Sequence, residues 1–335
     1  MNITSLRRAV LITGALLLLA GCGGKQSVLD PHSKPSRQIE HLWWGMLAAA
    51  AVVFGGLLVL LLIAWLRRNR EGLPVVGKQE QVSTGMVVGF GIVIPVLALA
   101  TLFWVSDLEV GQTVEAPNPG SAQMRMTVVG HQWWWEARYT GTQAVTANEI
   151  HIPTNTRIDV LLESPDVIHS FWVPALNKKV DTVPGHPNHM LLYSNRPGVF
   201  RGQCAEFCGL QHANMSLEVV AQPPAQFRAW LANESKPARR PSSALARTGR
   251  RIFLHGSCSS CHSIRGTRAH GYLGPDLTHL AERKTLAALT IPNTPARLAE
   301  WLRFAQKVKP GNKMPDIRLS DAQLRALVSY LEGLR

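Results

Sequence analysis

The sequence predicts a multidomain membrane protein in three parts: a pair of membrane-spanning helices, an all-β domain and a C-terminal all-α domain. Two long apolar stretches stand near the N-terminus of the 335-residue chain. Short β-branched and aromatic runs fill its middle, and patterns of helical period close it. The expected boundaries are 1–22 for a signal peptide, 23–106 for the helical hairpin, 107–225 for the β domain, 226–243 for a linker and 244–335 for the α domain.

The first 22 residues have the pattern of a signal peptide. Arg7 and Arg8 precede an apolar run from Ala9 to Ala20, which is typical of a secretory leader. The run ends in Leu-Ala-Gly-Cys, which resembles the cleavage box of a bacterial lipoprotein. We therefore expect a lipid-bearing N-terminus at Cys22. The alternative is an ordinary leader with an incidental cysteine.

Two apolar stretches are each long enough to cross a membrane. Residues 42–66 and 85–105 contain no charged residue, and about 20 apolar residues span the hydrocarbon core as a helix. The loop between them holds four basic residues, Arg67, Arg68, Arg70 and Lys78. Short basic loops stay on the cytoplasmic side. We therefore expect a multi-pass protein of the bacterial inner (plasma) membrane, with everything after Asp107 on the periplasmic or extracellular side.

Charge is unevenly distributed along the chain. The net charges of residues 1–106, 107–225 and 226–335 are +5, −4 and +12, within a total of +13. An acidic β domain and a basic tail attract one another. A basic tail also suits nucleic acid, but export argues against that partner, so we expect no nucleic acid. Anionic lipid headgroups remain an alternative.

The stretch from Gln123 to Val220 has the pattern of a β-sandwich or barrel. Its β-branched and aromatic runs are MRMTVVGHQWWWEARY, RIDVLLES, HMLLYS and MSLEVVA, with PGHP and RPG as turn signals between them. If the tryptophan run continues a strand, alternation puts Trp133 and Trp135 on one face and Trp134 on the other.

The α domain contains a haem attachment motif. In Cys258-Ser-Ser-Cys261-His262, two thiols can bond the vinyl groups of one porphyrin while the histidine binds its iron, as in c-type haem. A redox dithiol, half a zinc site and a disulfide are the alternatives, but none of them needs His262. Met314 is the only methionine of this domain and is the expected second axial ligand, since His/Met ligation suits electron transfer. Three histidines of the domain are alternative ligands: His255, His270 and His279. The segment resembles a small class I cytochrome c domain.

A second group of soft ligands lies in the sequence GQCAEFCGLQHANM. Cys204, Cys208, His212 and Met215 fall within twelve residues. Thiolates and thioethers favour Cu(I), and imidazole accepts copper generally. The second thiolate is one more than a blue-copper site uses, which predicts two metals bridged by both sulfurs, with His169 as a further ligand. A disulfide between the cysteines is the alternative, since disulfides persist outside the cytoplasm, but it leaves the histidine and methionine unexplained.

Together these motifs resemble subunit II of the haem–copper cytochrome c oxidases, in the variety that carries a fused cytochrome c. The resemblance rests on C-x-E-x-C-x-x-x-H-x-x-M, DVIHSFW and GHQWWWEARY and covers about residues 35–225. It implies a cupredoxin-like β-sandwich with a dinuclear CuA centre. The implied ligands are two bridging cysteines, two histidines, a methionine and one backbone carbonyl, which correspond to Cys204, Cys208, His169, His212, Met215 and Glu206.

The resemblance also implies roles beyond the copper ligands. The Glu206 carboxylate would help to hold Mg²⁺ at the border with the catalytic subunit, and electrons would enter through Trp133. Relatives often place a glutamate in the second span at the position that Val88 occupies here. The substitution argues against proton uptake through this subunit.

The implied function is that of the electron-accepting subunit of a proton-translocating terminal oxidase. Electrons from an upstream cytochrome or respiratory complex would pass from haem c to CuA and on to the catalytic subunit I, which reduces O2 to water and lies in the membrane with subunit III. The two spans contain no histidine, so the O2-reducing site must lie on a partner. The alternatives are a copper chaperone or store and a membrane cytochrome with a vestigial copper site. A nitrous-oxide reductase would need a larger catalytic domain.

Overall fold

The computed structural model describes residue 24 and residues 26–67, 80–111 and 121–335. The predicted signal peptide with Cys22, and the loop residues 68–79, lie outside these ranges. The chain divides into two compact units. One is Lys34–Glu115, and the other is Ala116–Arg335 with Met1–Ser33.

The first unit holds two helices that are long and apolar enough to cross a membrane. Helix α1 covers Lys34–Arg67. The second helix begins as α2 (Glu80–Val88), widens into a π-helical turn at Gly89–Val93 and continues as α3 (Ile94–Val105). Pro95 lies in the first turn of α3, and a proline that lacks its N–H commonly accompanies such a local widening of a helix. Both predicted spans lie within these helices.

In the described part of the second unit, ten strands form two five-stranded sheets. Their bounds are β1 Met124–His131, β2 Trp134–Tyr139, β3 Val145–Ala147, β4 Glu149–Pro153, β5 Ile158–Glu163, β6 His169–Trp172, β7 Val180–Thr182, β8 Asn188–Leu192, β9 Gly198–Cys204 and β10 Ser216–Gln222. The sheet orders are β3-β2-β1-β5-β8 and β4-β10-β9-β6-β7. The β1–β5 and β10–β4 pairs are parallel, and the other pairs are antiparallel.

Alternation along the strands builds the core between the sheets. Ile158, Val160 and Leu162 of β5 are completely buried, while the residues between them are half-buried. Trp135 and Phe171 come from opposite sheets and meet edge to face, with ring centroids 5.4 Å apart. Cys204, Cys208 and Met215, which belong to the predicted copper site, pack in this same core.

The tryptophan run does not continue one strand. Strand β1 ends at His131 and β2 begins at Trp134, and these two residues pair with each other. Gln132 and Trp133 therefore form a two-residue hairpin turn, and the alternation predicted through Trp133 is wrong because the chain reverses there. Trp133 and Trp135 nevertheless both pack into the core of the sandwich.

Helices dominate the C-terminal part. Their bounds are α4 Pro224–Glu234, α5 Ala244–His255, α6 Cys258–Cys261, α7 Pro295–Arg303, α8 Ala305–Val308 and α9 Asp321–Leu331, with the short strands β11 Thr285–Leu286 and β12 Ile291–Pro292. Residues 226–234 of the predicted linker belong to α4, and Phe227 packs into the core of the sandwich. Phe304 separates α7 from α8.

A close helix crossing organises the haem-motif domain. A Cβ atom on Gly249 of α5 would come within 1.9 Å of the carbonyl oxygen of Ala326 in α9, so only glycine permits this approach. The start of α9 is a capping box. The Ser320 hydroxyl accepts from the backbone N–H of Gln323, whose side chain accepts in turn from the backbone N–H of Ser320.

Candidate metal centre and haem site

Two buried cysteines face each other where β9 leads into the following loop. The Sγ atoms of Cys204 and Cys208 are 3.8 Å apart, and both thiols are free. A disulfide requires about 2.05 Å, whereas two thiolates that share one metal at about 2.3 Å lie roughly this far apart. The pair is arranged to hold a metal ion between the sulfurs.

Four further donor atoms surround the two sulfurs. His169 Nδ1 lies 4.0 Å and the carbonyl oxygen of Glu206 3.2 Å from the Sγ atom of Cys204. His212 Nδ1 lies 3.6 Å and Met215 Sδ 3.7 Å from the Sγ atom of Cys208. The structure thus brings together all the ligand positions that the sequence analysis named for copper, and this donor set of sulfur and imidazole suits copper.

The sandwich brings His169 to the cysteines across two strands. His169 begins β6, and Phe171 of that strand pairs with Cys204 of β9. On the other side, a Cβ atom at Gly130 would lie 3.0 Å from the imidazole ring. Glycine therefore leaves the room in which the completely buried ring packs.

The Asp166 carboxylate orients His169. The Nε2–H of His169 donates to Asp166 Oδ1 over 2.8 Å, which leaves Nδ1 free to face Cys204, as expected for a metal ligand. Burial is the largest single effect and lowers the pKa of His169, but the hydrogen bonds and charge interactions with Asp166 and Cys204 together outweigh it, so the net pKa is raised. Burial also opposes ionisation of Asp166, yet hydrogen bonds from His169 and the backbone N–H of Gln132 hold its pKa well below the usual range.

The two thiols ionise as a coupled pair. Their mutual hydrogen bond lowers the pKa of Cys204 and raises the pKa of Cys208. The pair therefore loses one proton readily and keeps the second, which a bound cation would replace, because thiolates are the metal-binding form.

Trp133 connects the hairpin turn to residues 204–215, which we call the copper-ligand loop because they include the predicted copper ligands. Its indole Nε1–H donates to the carbonyl oxygen of Cys208 over 3.0 Å, and the amide of Gln132 donates to the same oxygen over 2.9 Å. Gly209 follows at φ +110°, in the region that favours glycine. A Cβ atom there would also lie 3.2 Å from the Trp133 ring, so the loop and the indole fit closely.

The C-terminal helices enclose a cavity of about 730 Å³. Cys258, Cys261, His262 and Met314 all lie on its wall. The three alternative ligands, His255, His270 and His279, are not among the residues that form this wall. Seven residues of the sandwich complete one side of the cavity, among them Trp133, Trp134 and Asp166.

The cavity fits a c-type haem. The single helical turn of α6 carries Cys258 and Cys261 three residues apart, on one face. The Nδ1–H of His262 donates to the carbonyl oxygen of Pro275 over 2.9 Å, which leaves Nε2 for iron, and burial lowers the pKa of the imidazole. A Cβ atom at Gly274 would lie 2.5 Å from the same ring, so glycine is required beside it.

Met314 is held by a short network within its loop. Its backbone N–H donates to the side chain of Asn312 over 2.7 Å, and its carbonyl oxygen accepts from Gln306 over 2.7 Å. These bonds fix the loop that carries the thioether to the cavity wall.

The remaining sequence predictions fall on exposed or half-exposed positions. The Glu206 carboxylate is 45% exposed and lies 3.9 Å from the ammonium of Lys179. Val88 lies in α2 with 42% of its surface exposed. The Mg²⁺ site and the absence of proton uptake stay predictions.

Sequence reasoning missed three residues of the site. Asp166 stands three positions before His169 in the same motif, and a carboxylate so close to a predicted ligand was a usable signal. Gln132 and Lys309 carry no such signal, because their contacts depend on how distant segments pack: Gln132 donates to the carbonyl oxygen of Cys208, and the Lys309 ammonium donates to those of Trp133 and Asn214.

Comparison with known proteins identifies the family. The family model described as "Cytochrome C oxidase subunit II, periplasmic domain" matches residues 142–222, and the family model described as "Cytochrome c" matches residues 246–335. The cytochrome c oxidase subunit 2 of Alkalihalophilus pseudofirmus is 32% identical over 331 residues, which cover 95% of this chain and 94% of that protein. The chain belongs to the cytochrome c oxidase subunit 2 family.

Two further similar proteins are also second subunits of cytochrome oxidases. The cytochrome c oxidase subunit 2 of Bacillus subtilis is 31% identical to this chain over 82% of the chain and 81% of its own length. The solved periplasmic domain of subunit II of cytochrome oxidase from Bradyrhizobium japonicum is 29% identical over 34% of this chain, which covers 94% of that domain with a TM-score of 0.33.

These findings confirm the predicted family and fold class. The chain has two apolar N-terminal helices, a β-sandwich of cupredoxin type and a helical cytochrome c domain. It is a subunit of an oxidoreductase complex in a membrane, and its general role is electron transfer.

Proposed function

We propose that this subunit accepts electrons for a terminal cytochrome c oxidase. It passes them from a covalent haem c to a dinuclear CuA centre and on to the catalytic subunit, which reduces O2 to water. The observation that carries the proposal is the position of Trp133, which lines the haem cavity and donates a hydrogen bond to the carbonyl oxygen of Cys208.

The proposed copper-binding residues form one cluster, in which His169, Cys204, Cys208 and Met215 are buried. Cys204 and Cys208 would bridge two copper ions, and the remaining donors would be His169, His212, Met215 and the carbonyl oxygen of Glu206. The support is the convergence of all six groups within 4.0 Å of one or the other sulfur.

The haem-binding residues line one cavity. Cys258 and Cys261 would hold the porphyrin covalently, and His262 and Met314 would bind the iron. When bound, both groups supply one-electron chemistry, and neither needs an open coordination position. The chain keeps their ligands fixed through the hydrogen bonds of His169 to Asp166 and of His262 to Pro275. Fixed ligands favour fast electron transfer because little has to rearrange.

The assembly follows from the same proposal. Subunits I and III of the oxidase would surround the two spans in the bacterial inner membrane, and both cofactor domains would lie on the periplasmic side. The Glu206 carboxylate would take part in a Mg²⁺ site at the border with the catalytic subunit. The upstream donor would be a cytochrome or a respiratory complex, and Cys22 would carry the lipid anchor.

Metal analysis of the purified oxidase tests the proposal. We expect about two copper ions per haem c in this subunit, because two bridging thiolates hold two metals, and a mixed-valence copper signal in the electron paramagnetic resonance spectrum. The variant Cys204→Ser should lose that signal and keep haem c. The exposed His186→Gln is the matched control and should keep both. A Cys204→Ser oxidase with an unchanged copper signal would contradict the proposal.

A further inference from the structure

The chain from Lys309 to Met314, which we call the docking segment, joins the haem domain to the copper-ligand loop. At its start, the Lys309 ammonium donates to the carbonyl oxygen of Asn214 over 2.8 Å and to that of Trp133 over 2.9 Å. A third bond, of 3.1 Å, runs to the carbonyl oxygen of Ala287 in its own domain. The segment ends at Met314, the proposed axial ligand of the haem iron.

The middle of the docking segment follows the copper-ligand loop residue by residue. The carbonyl oxygen of Pro310 accepts a hydrogen bond from the Gln211 side chain. Gly311, at φ +77°, lies so close to Leu210 that a Cβ atom would come within 2.8 Å of that side chain.

The end of the docking segment reaches the carboxylate that orients a copper ligand. The Lys313 ammonium lies 3.4 Å from Asp166 Oδ2, and Asp166 Oδ1 accepts the hydrogen bond from His169. One six-residue segment therefore contacts the copper-ligand loop, the support of His169 and the haem cavity.

A buried carboxylate makes the reverse contact at a second point. Glu149 of β4 is 4% exposed, and it accepts hydrogen bonds from the backbone N–H groups of Lys284 and Thr285 in the haem domain, over 2.7 and 3.0 Å. Each domain therefore inserts one charged group among the backbone groups of the other.

Burial makes these two contacts selective for one orientation. Lys309 is 3% exposed, and a buried charge is tolerated only where hydrogen-bonding partners meet it. A rotated or shifted haem domain would leave the ammonium or the carboxylate without those partners and without water. Because a buried charge that loses its partner is strongly destabilising, the two contacts favour the orientation in which both groups keep their partners.

We propose that Lys309 and Glu149 fix the haem domain in one docked orientation on the copper domain, with Lys309 as a positioning residue for electron transfer between the two cofactors. This inference rests on the proposed function. The docked orientation places the haem cavity against Trp133, which is 8% exposed. Its geometry, rather than long-range charge attraction, then sets the rate of internal transfer.

The test measures electron transfer from haem c to copper in the purified full oxidase after a light-triggered electron is delivered to the haem. We expect Lys309→Met to slow this step by at least about tenfold, because the loss of even one hydrogen bond to a charged group changes a docking equilibrium by about that factor. The step should also become dependent on salt, whereas in the unaltered oxidase it should respond to salt only weakly. Lys307→Met removes an exposed charge two residues away and should change neither property.

Spectra separate this inference from the proposed function. Lys309→Met should keep the copper resonance signal and the haem c absorbance, so a slower rate reports docking and not loss of a cofactor. An unchanged rate with unchanged salt response would overturn the role of Lys309. Absence of copper from the unaltered oxidase would instead overturn the proposed function.

Two further measurements cover a variant that fails to fold. Glu149→Gln removes the charge at the second point and should also slow transfer and introduce salt dependence. In the unaltered oxidase, a zero-length carbodiimide reagent should couple Lys313 to Asp166, and Lys313→Gln should abolish that product. Failure to find the coupled peptide in the unaltered oxidase would show that the docked orientation is not populated.

Discussion

The indole Nε1–H of Trp133 donates a 3.0 Å hydrogen bond to the carbonyl oxygen of Cys208. The same side chain lines the cavity that contains the haem-attachment motif. A single buried residue therefore lies in contact with both proposed cofactor sites, and a hydrogen bond links it directly to a proposed copper ligand.

Replacing the indole tests this connection. Trp133→Phe keeps an aromatic ring but removes the N–H donor, and we expect electron transfer from haem c to copper to slow about tenfold, the effect of one lost buried hydrogen bond. Copper and haem contents should not change. The matched control is Trp134→Phe, since Trp134 lines the same cavity but stacks on His131 with ring centroids 4.2 Å apart. Equal slowing in both variants would argue against a specific role for Trp133.

Weakening the carboxylate partner of His169 should loosen copper. Asp166→Asn removes the charged acceptor that fixes the imidazole, and loss of such a partner typically costs about 10–100-fold in metal affinity. Copper retention against a chelator measures the effect. Asp159→Asn is the control, because Asp159 bonds the exposed His189 at the same 2.8 Å distance, remote from copper. Equal copper retention in the unaltered oxidase, Asp166→Asn and Asp159→Asn would show that Asp166 does not support the metal.

Glu234 should make the free energy of unfolding of the folded C-terminal domains dependent on pH. Burial raises the pKa of this carboxyl from 4.5 to about 7, so the folded state binds more protons than the unfolded state between these values. Stability is then highest below pH 4.5 and falls as the pH rises to about 7. Glu234→Gln removes this fall and should stabilise the protein by about 3 kcal/mol above pH 7, from about 1.36 kcal/mol per unit of pKa.

The measurement is the midpoint of thermal unfolding of the haem domain, followed by haem absorbance at pH 4.5 and pH 8 in the purified oxidase. Glu332→Gln, in the last turn of the chain, is the control and should leave the pH profile unaltered. A gain for Glu234→Gln of the same size at both pH values would contradict the assignment to ionisation.

The helix crossing at Gly249 should tolerate no side chain. Gly249→Ala would place its methyl group 1.9 Å from the carbonyl oxygen of Ala326, and forced overpacking costs about 1–3 kcal/mol. We expect a lower unfolding midpoint of the haem domain. Thr248→Ala, on the same helix, should have a smaller effect, and equal loss in both variants would indicate a general helix effect instead of the crossing.

The sequence alone determined the groups of ligands. The haem motif, Cys258 to His262, is little longer than one helical turn. Four predicted copper donors lie between Cys204 and Met215, within twelve residues. Covalent spacing therefore already brings most donors of each site together. Apolar length identified the two membrane helices, because the hydrocarbon core sets a minimum that chain composition shows directly. The family follows from these local motifs.

Only the tertiary structure decided how the two sites connect. Trp133 occupies a hairpin turn instead of a strand, and nothing in the run of three tryptophans marks where the chain reverses. Lysine is a residue type that normally lies on the surface, yet Lys309 is buried against Asn214 and Trp133. Burial of a charge depends on which surfaces meet and on which carbonyl groups they present. That arrangement arises from contacts between segments far apart in the chain, and no local pattern records it.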